Sequence, residues 1–152
     1  MLSRRTEDYL RTILNITEEK GYARVKDIAQ ALGVKPSSVV EMLKKLNDAG
    51  YVVHRRYDGV TLTPKGLELG KIAKSRHEII QTFLEIIKVP KTIATKDACK
   101  MEHELHPKTI EQIGNLVRFV KTSPGNPEWL QHFQRFCDMG NTTTDQEKTK
   151  KM

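Results

Sequence analysis

Between residues 23 and 63 the chain sets two short amphipathic segments, a glycine turn and an alternating segment in unbroken succession, and few folds accept that order. "ARVKDIAQALGV" spaces Val25, Ile28, Ala29 and Leu32 along one helical face, and Gly33 closes it. "KPSSVVEMLKKLNDAGY" follows almost at once. Pro36 or Ser37 opens a second helix there, Val39, Val40, Leu43 and Leu46 face inward, and Gly50 stops it. Two short helices joined by a turn containing glycine are the helix-turn-helix signature. "YVVHRRYDGVTLT" then changes period, and its Asp58-Gly59 favours a tight hairpin turn. A basic β-hairpin directly after the second of these helices makes a wing.

The flanks extend this plan. Ser3 caps a helix running to about Glu19, with Leu10, Ile13 and Leu14 as its apolar stripe and Gly21 as its stop. Pro64 opens a segment of some 24 residues, ~36 Å at the helical rise, long enough to link two lobes. "TIATKDACKMEHEL" and "PKTIEQIGNLVRFVKT" predict two more helices, divided at His106-Pro107. The second carries Ile110, Ile113, Val117 and Val120 at the spacing of a helix–helix seam, with Gly114 beside it to admit a close partner helix. "EWLQHFQRFCDM" predicts a short amphipathic helix with Trp129, Phe133 and Phe136 on its apolar face. The fold class expected is mainly α with a small β-hairpin wing. A winged helix-turn-helix over 1–63 is followed by an all-helical lobe over 64–140 and a polar, disordered tail over 141–152.

Charge is divided unevenly between these parts. The formal net charge is +7, and residues 1–75 hold 14 Lys+Arg against 9 Asp+Glu, whereas residues 76–140 hold 9 against 8. An anionic partner therefore belongs to the winged lobe, and double-stranded DNA fits its architecture. The start of the second helix, Lys35, Pro36, Ser37, Ser38 and Glu41, is the part that reaches base edges when such a helix enters the major groove. Lys44 and Lys45 continue towards the backbone, and Arg55 and Arg56 on the wing can track phosphates. No apolar run reaches the ~18 residues a bilayer span needs, and the N-terminus lacks the apolar core of a secretory signal. With two cysteines and no disulfide framework, the chain is expected in the cytoplasm.

Those cysteines point to the chemistry of the second lobe. "DACKMEHEL" puts Cys99, Glu102 and His103 at i, i+3 and i+4, hence on one face of a helix. Thiolate, carboxylate and imidazole together suit a first-row divalent metal, whereas Ca²⁺ and Mg²⁺ want all-oxygen shells. The same trio is also compatible with a structural role, a small core cysteine beside a surface histidine. A metalloenzyme would need a nucleophile, a base and an orienting group, and no such set stands elsewhere in the chain.

"TEDYLRTI", "ARVKDIAQALGVKPSSV", "GYVVHRRYDGVTLTPKG" and "DACKMEHEL" together resemble the diphtheria toxin repressor family of metal-dependent regulators, which includes the manganese transport regulators. The resemblance covers residues 3 to about 122. It implies a DNA-binding domain followed by a metal-binding domain that dimerises, and a repressor that holds operator DNA as a homodimer when Fe(II) or Mn(II) is bound and so controls metal-uptake genes. It implies Cys99, Glu102 and His103 as ligands on the main metal-binding helix, Asp8 as the ligand from the DNA-binding lobe and His77 as a ligand for a second metal. Three departures are visible. Arg11 stands where manganese regulators place a second carboxylate, Gln81 and Thr95 stand where iron regulators place ancillary ligands, and the C-terminal β-barrel domain of longer members is replaced by the Trp129–Cys137 segment. One metal site per protomer is expected. The contrasting expectation is a winged-helix regulator indifferent to metal, with the Cys-x-x-Glu-His trio structural.

Overall fold

The computed structural model describes residues 2–150, with side chains described for 2–140. Of the tail expected to be disordered over 141–152, residues 141–150 are helical and 151–152 lie outside the described residues. Two compact units, Met1–His77 and Glu78–Met152, divide the chain.

In the first unit, α1 (Arg4–Lys20) begins where the Ser3 hydroxyl accepts the Thr6 N–H at 3.1 Å. It ends where Gly21 turns left-handed at φ 86° and donates to the Thr17 carbonyl. α2 (Val25–Leu32) stops in the same way at Gly33, and α3 (Pro36–Asp48) starts on a proline in its first turn. The core is aliphatic: Leu10, Ile13, Ile28, Val39, Leu43 and Leu46 close over Val52 and Val60 of the hairpin. Val40 departs from expectation, since it is half exposed and Met42 is buried in its stead. Val39, Met42, Leu43 and Leu46 follow the 3-1-3 spacing of a single stripe, and Val40 lies about 100° away from Val39 on the helix.

The wing pairs β1 (Val52–Arg55) antiparallel with β2 (Gly59–Leu62), Arg55 opposite Gly59 and Val52 opposite Leu62. Its loop is therefore Arg56, Tyr57 and Asp58, one residue longer than a two-residue Asp-Gly turn, and Gly59 takes the left-handed position at φ 80°. After the hairpin, the Thr63 hydroxyl donates to the Gly50 carbonyl at 2.6 Å and accepts the Gly66 N–H at 3.1 Å. That side chain both anchors the wing and starts α4 (Pro64–Ile86). Glycines let α4 pack closely: a Cβ on Gly66 would overlap the Tyr51 carbonyl, and one on Gly70 would stand 3.2 Å from that of Leu10.

The second unit is built of helices joined by short turns over its described residues. Lys88, at φ 75°, reverses the chain from the end of α4 into α5 (Lys91–Glu104). His106 caps α6 (Pro107–Thr122) through Nδ1, which accepts the Lys108 N–H at 3.0 Å. Ile80 and Leu84 of α4, Ala94 and Ala98 of α5 and Ile110 of α6 form its core. Gly114 is buried, and the site of its absent Cβ lies 3.4 Å from Ile79 of α4, so the close approach it permits is used within the chain. Among the described side chains of α7 (Glu128–Lys150), Leu130 is buried. Trp129 and Phe136, expected as its apolar face, are exposed.

The architecture is mainly α, a winged helix-turn-helix followed by an all-helical region.

Candidate metal centre and nucleic-acid interface

α5 has an apolar stripe of small residues with a carboxylate in line. Ala94, Ala98 and Glu102 succeed one another at intervals of four, and all three are buried. A core residue would be expected at the third position. Burying a carboxylate costs several kcal/mol unless it is partnered. Glu102 is 2% exposed, and its Oε1 accepts from His103 Nε2 at 3.0 Å. The His103 side chain is itself only 7% exposed. Cys99 lies one turn back on the same helix, partly buried and not in a disulfide. The Ala–Ala–Glu succession is readable in the sequence, and it marks Glu102 more sharply than the Cys-x-x-Glu-His spacing alone. A buried carboxylate–imidazole pair with a thiol one turn away is a donor set that fits a divalent transition metal.

The other expected ligands are carried by other helices. Asp8 is on α1, half buried, and its carboxylate stands 3.5 Å from the Arg11 guanidinium. His77 is on α4, half buried, at the last position of the first unit. Thr95 donates its hydroxyl to the Lys91 carbonyl at 2.8 Å, one turn back in its own helix.

The residues expected at DNA stand on the first unit's surface. Lys35 precedes α3 and Pro36 opens it; Ser37, Glu41, Lys44 and Lys45 are exposed and Ser38 is partly covered. Arg55 and Arg56 are exposed on the wing, where the Arg56 guanidinium sits 5.8 Å from the Tyr57 ring centroid. A second basic–aromatic pair went unmarked in the sequence. Arg24, just before α2, lies over the Tyr22 ring, and "GYAR" is the only trace of it.

Comparison with known proteins decides the family. Residues 1–60 match the iron dependent repressor N-terminal DNA binding domain, and residues 63–130 match the iron dependent repressor metal binding and dimerisation domain. The HTH-type transcriptional regulator MntR of Shouchella clausii is 43% identical over 132 residues, 87% of this chain and 92% of that protein. The chain belongs to the iron-dependent repressor family. MntR of Bacillus subtilis is 40% identical over 135 residues, covering 89% of this chain and 95% of that one. Among solved structures of this kind, the manganese regulator SloR is similar with a TM-score of 0.67 at 28% identity, over 78% of this chain and 56% of that chain. T. acidophilum IdeR gives 0.64 at 27%, over 70% and 51%. The chain thus spans about half the length of those two, while it spans nearly all of the MntR proteins.

As a member of this family, the chain is a metal-dependent transcriptional repressor of metal homeostasis, and the family is one of transcriptional regulators. The match of its second half to a metal-binding domain disfavours a regulator indifferent to metal. No helix among the described residues is long and apolar enough to cross a membrane.

Proposed function

We propose that this repressor binds operator DNA as a homodimer in the cytoplasm when each protomer holds one Fe(II) or Mn(II) ion, and so controls metal-uptake genes. Cys99, Glu102 and His103 of α5 supply ligands from the metal-binding domain and Asp8 of α1 supplies one from the DNA-binding domain, while His77 of α4 corresponds to the family's ligand for a second ion, which this set does not require. The ion contributes a localised positive charge with directional coordination, which offsets the desolvation of the Glu102 carboxylate. The observation that carries this assignment is the buried Glu102–His103 pair in line with Ala94 and Ala98, in a segment matching a metal-binding domain.

Cys99 sets the preference between metals. A thiolate is softer than any oxygen donor and favours Fe(II) over Mn(II), whereas Asp8 and Glu102 accommodate either. The similar SloR is a manganese regulator, which supports Mn(II) as the alternative ion. DNA recognition falls to Lys35, Pro36, Ser37, Ser38, Glu41 and Lys44 of the α3 segment, with Arg55 and Arg56 of the wing on the backbone. Dimerisation falls to the α6 seam through its half-buried Ile113 and Val120, since Ile110, Gly114 and Val117 are already buried within the protomer. A shallow depression of about 440 Å³ on α6, bordered by Lys108, Thr109, Gln112, Ile113 and Leu116, supports an unfilled apolar contact there.

Because ligands come from both domains, arrangements in which all of them reach one ion are favoured when it binds, by no more than its differential affinity. Anaerobic equilibrium dialysis tests the assignment. One Mn(II) or Fe(II) per protomer is expected, with binding weakened at least tenfold in Cys99→Ala and in Glu102→Gln. Unchanged affinity in both variants would contradict the ligand set.

A further inference from the structure

We propose that Arg24, braced against Tyr22 at the foot of the wing, is a fixed contact for a backbone phosphate of duplex DNA, an assignment that rests on the DNA-binding reading of the first domain. The residue before it is tied to the wing by two hydrogen bonds. Ala23 N–H donates to the Val60 carbonyl at 3.1 Å, and Val60 N–H donates to the Ala23 carbonyl at 2.7 Å. Ala23 and Val60 are fully buried, so the join is part of the core. Gly59 makes the approach possible, because a Cβ there would stand 2.8 Å from the Ala23 oxygen. Arg24 is therefore held at a set place beside the hairpin.

Its side chain is oriented as well. The guanidinium carbon lies 5.2 Å from the Tyr22 ring centroid, and Nη2 donates to the Tyr22 hydroxyl at 3.4 Å. Stacking on an aromatic face limits the rotamer freedom an arginine would otherwise lose on binding. Arg24 faces His54, Arg55, Arg56 and Tyr57 across a pocket of about 180 Å³ that no carboxylate lines. Some other cations of this unit are matched within it, Lys20 to Asp27, Lys74 to Glu18 and Arg76 to Glu7. Among the described residues, Arg24, His54, Arg55 and Arg56 have no such match. A pocket lined by three arginines and a histidine suits an oxyanion with several acceptor oxygens, and on this lobe the phosphodiester of DNA is its source.

A phosphate contact is independent of sequence, so a random-sequence duplex suffices as probe. The full chain with Mn(II) is titrated against a fluorescein-labelled random duplex at a series of KCl concentrations, for wild type, Arg24→Gln and Arg24→Lys, with circular dichroism melts as the folding control. Arg24→Gln is expected to weaken binding and to lower the slope of log K against log salt by about one. Arg24→Lys keeps the slope and loses affinity, because the charge remains while the stacked fork is gone. An unchanged slope in Arg24→Gln, with wild type binding normally, overturns the proposal. Failure of wild type to bind any duplex is a different result and overturns the DNA-binding reading itself. Inorganic phosphate at constant ionic strength is expected to leave wild-type binding unaltered. Saturable displacement that Arg24→Gln abolishes would assign the pocket to free phosphate instead.

Discussion

Glu102 shows how one residue separates function from stability. It occupies a core position on α5 yet carries a carboxylate bonded to His103. Glu102→Gln keeps the volume and the capacity to accept that hydrogen bond, so urea unfolding in chelator should change by no more than ~1 kcal/mol, while metal affinity falls at least tenfold. A large loss of stability in chelator with metal affinity intact would make the residue structural. Cys99→Asp is expected to move the preference from Fe(II) towards Mn(II), read as the ratio of the two dissociation constants, because it exchanges a soft donor for a hard one. At this scale the sequence was informative where spacing alone decides: i, i+3, i+4 puts Cys99, Glu102 and His103 on one face of any helix. It was silent on Arg24, because the bridge from Ala23 to Val60 joins positions far apart in the chain. Val40 was misplaced because a valine beside a valine has no local mark of which one faces the core.

Elements form where the local chemistry agrees with the packing. Ser3, Gly21, Gly33 and Pro36 punctuate the first three helices as their residue types dictate. The wing turn is one residue longer than Asp-Gly suggests, because Gly59 is needed where the hairpin meets Ala23. Gly66 imposes the strictest demand. Adding a methyl there forces the start of α4 away from the Tyr51 carbonyl, and Gly66→Ala should cost ~1–3 kcal/mol in the urea unfolding free energy. No measurable cost would mean that the start of α4 and the turn before β1 do not meet as described. The apolar face of α7 was the poorest inference at this level. Amphipathic spacing identifies a face, but Trp129 and Phe136 remain exposed, and the stripe alone does not say whether anything covers it.

For the molecule as a whole, the uneven charge and the order of the two domains were already visible in the sequence, since 14 basic against 9 acidic residues fall in the first 75. The division at His77 was not, because α4 runs through it without a break in helical pattern. The central claim is thermodynamic coupling: a metal ion bound with ligands from both domains raises operator affinity, and operator DNA raises metal affinity by the same factor. Anaerobic fluorescence anisotropy of a metal-uptake promoter fragment tests it most directly, in chelator, Fe(II) or Mn(II), for wild type and Cys99→Ala. The account predicts at least tenfold tighter binding with metal, about 1.4 kcal/mol of coupling, abolished by Cys99→Ala. Equal affinity in chelator and in both metals would contradict it.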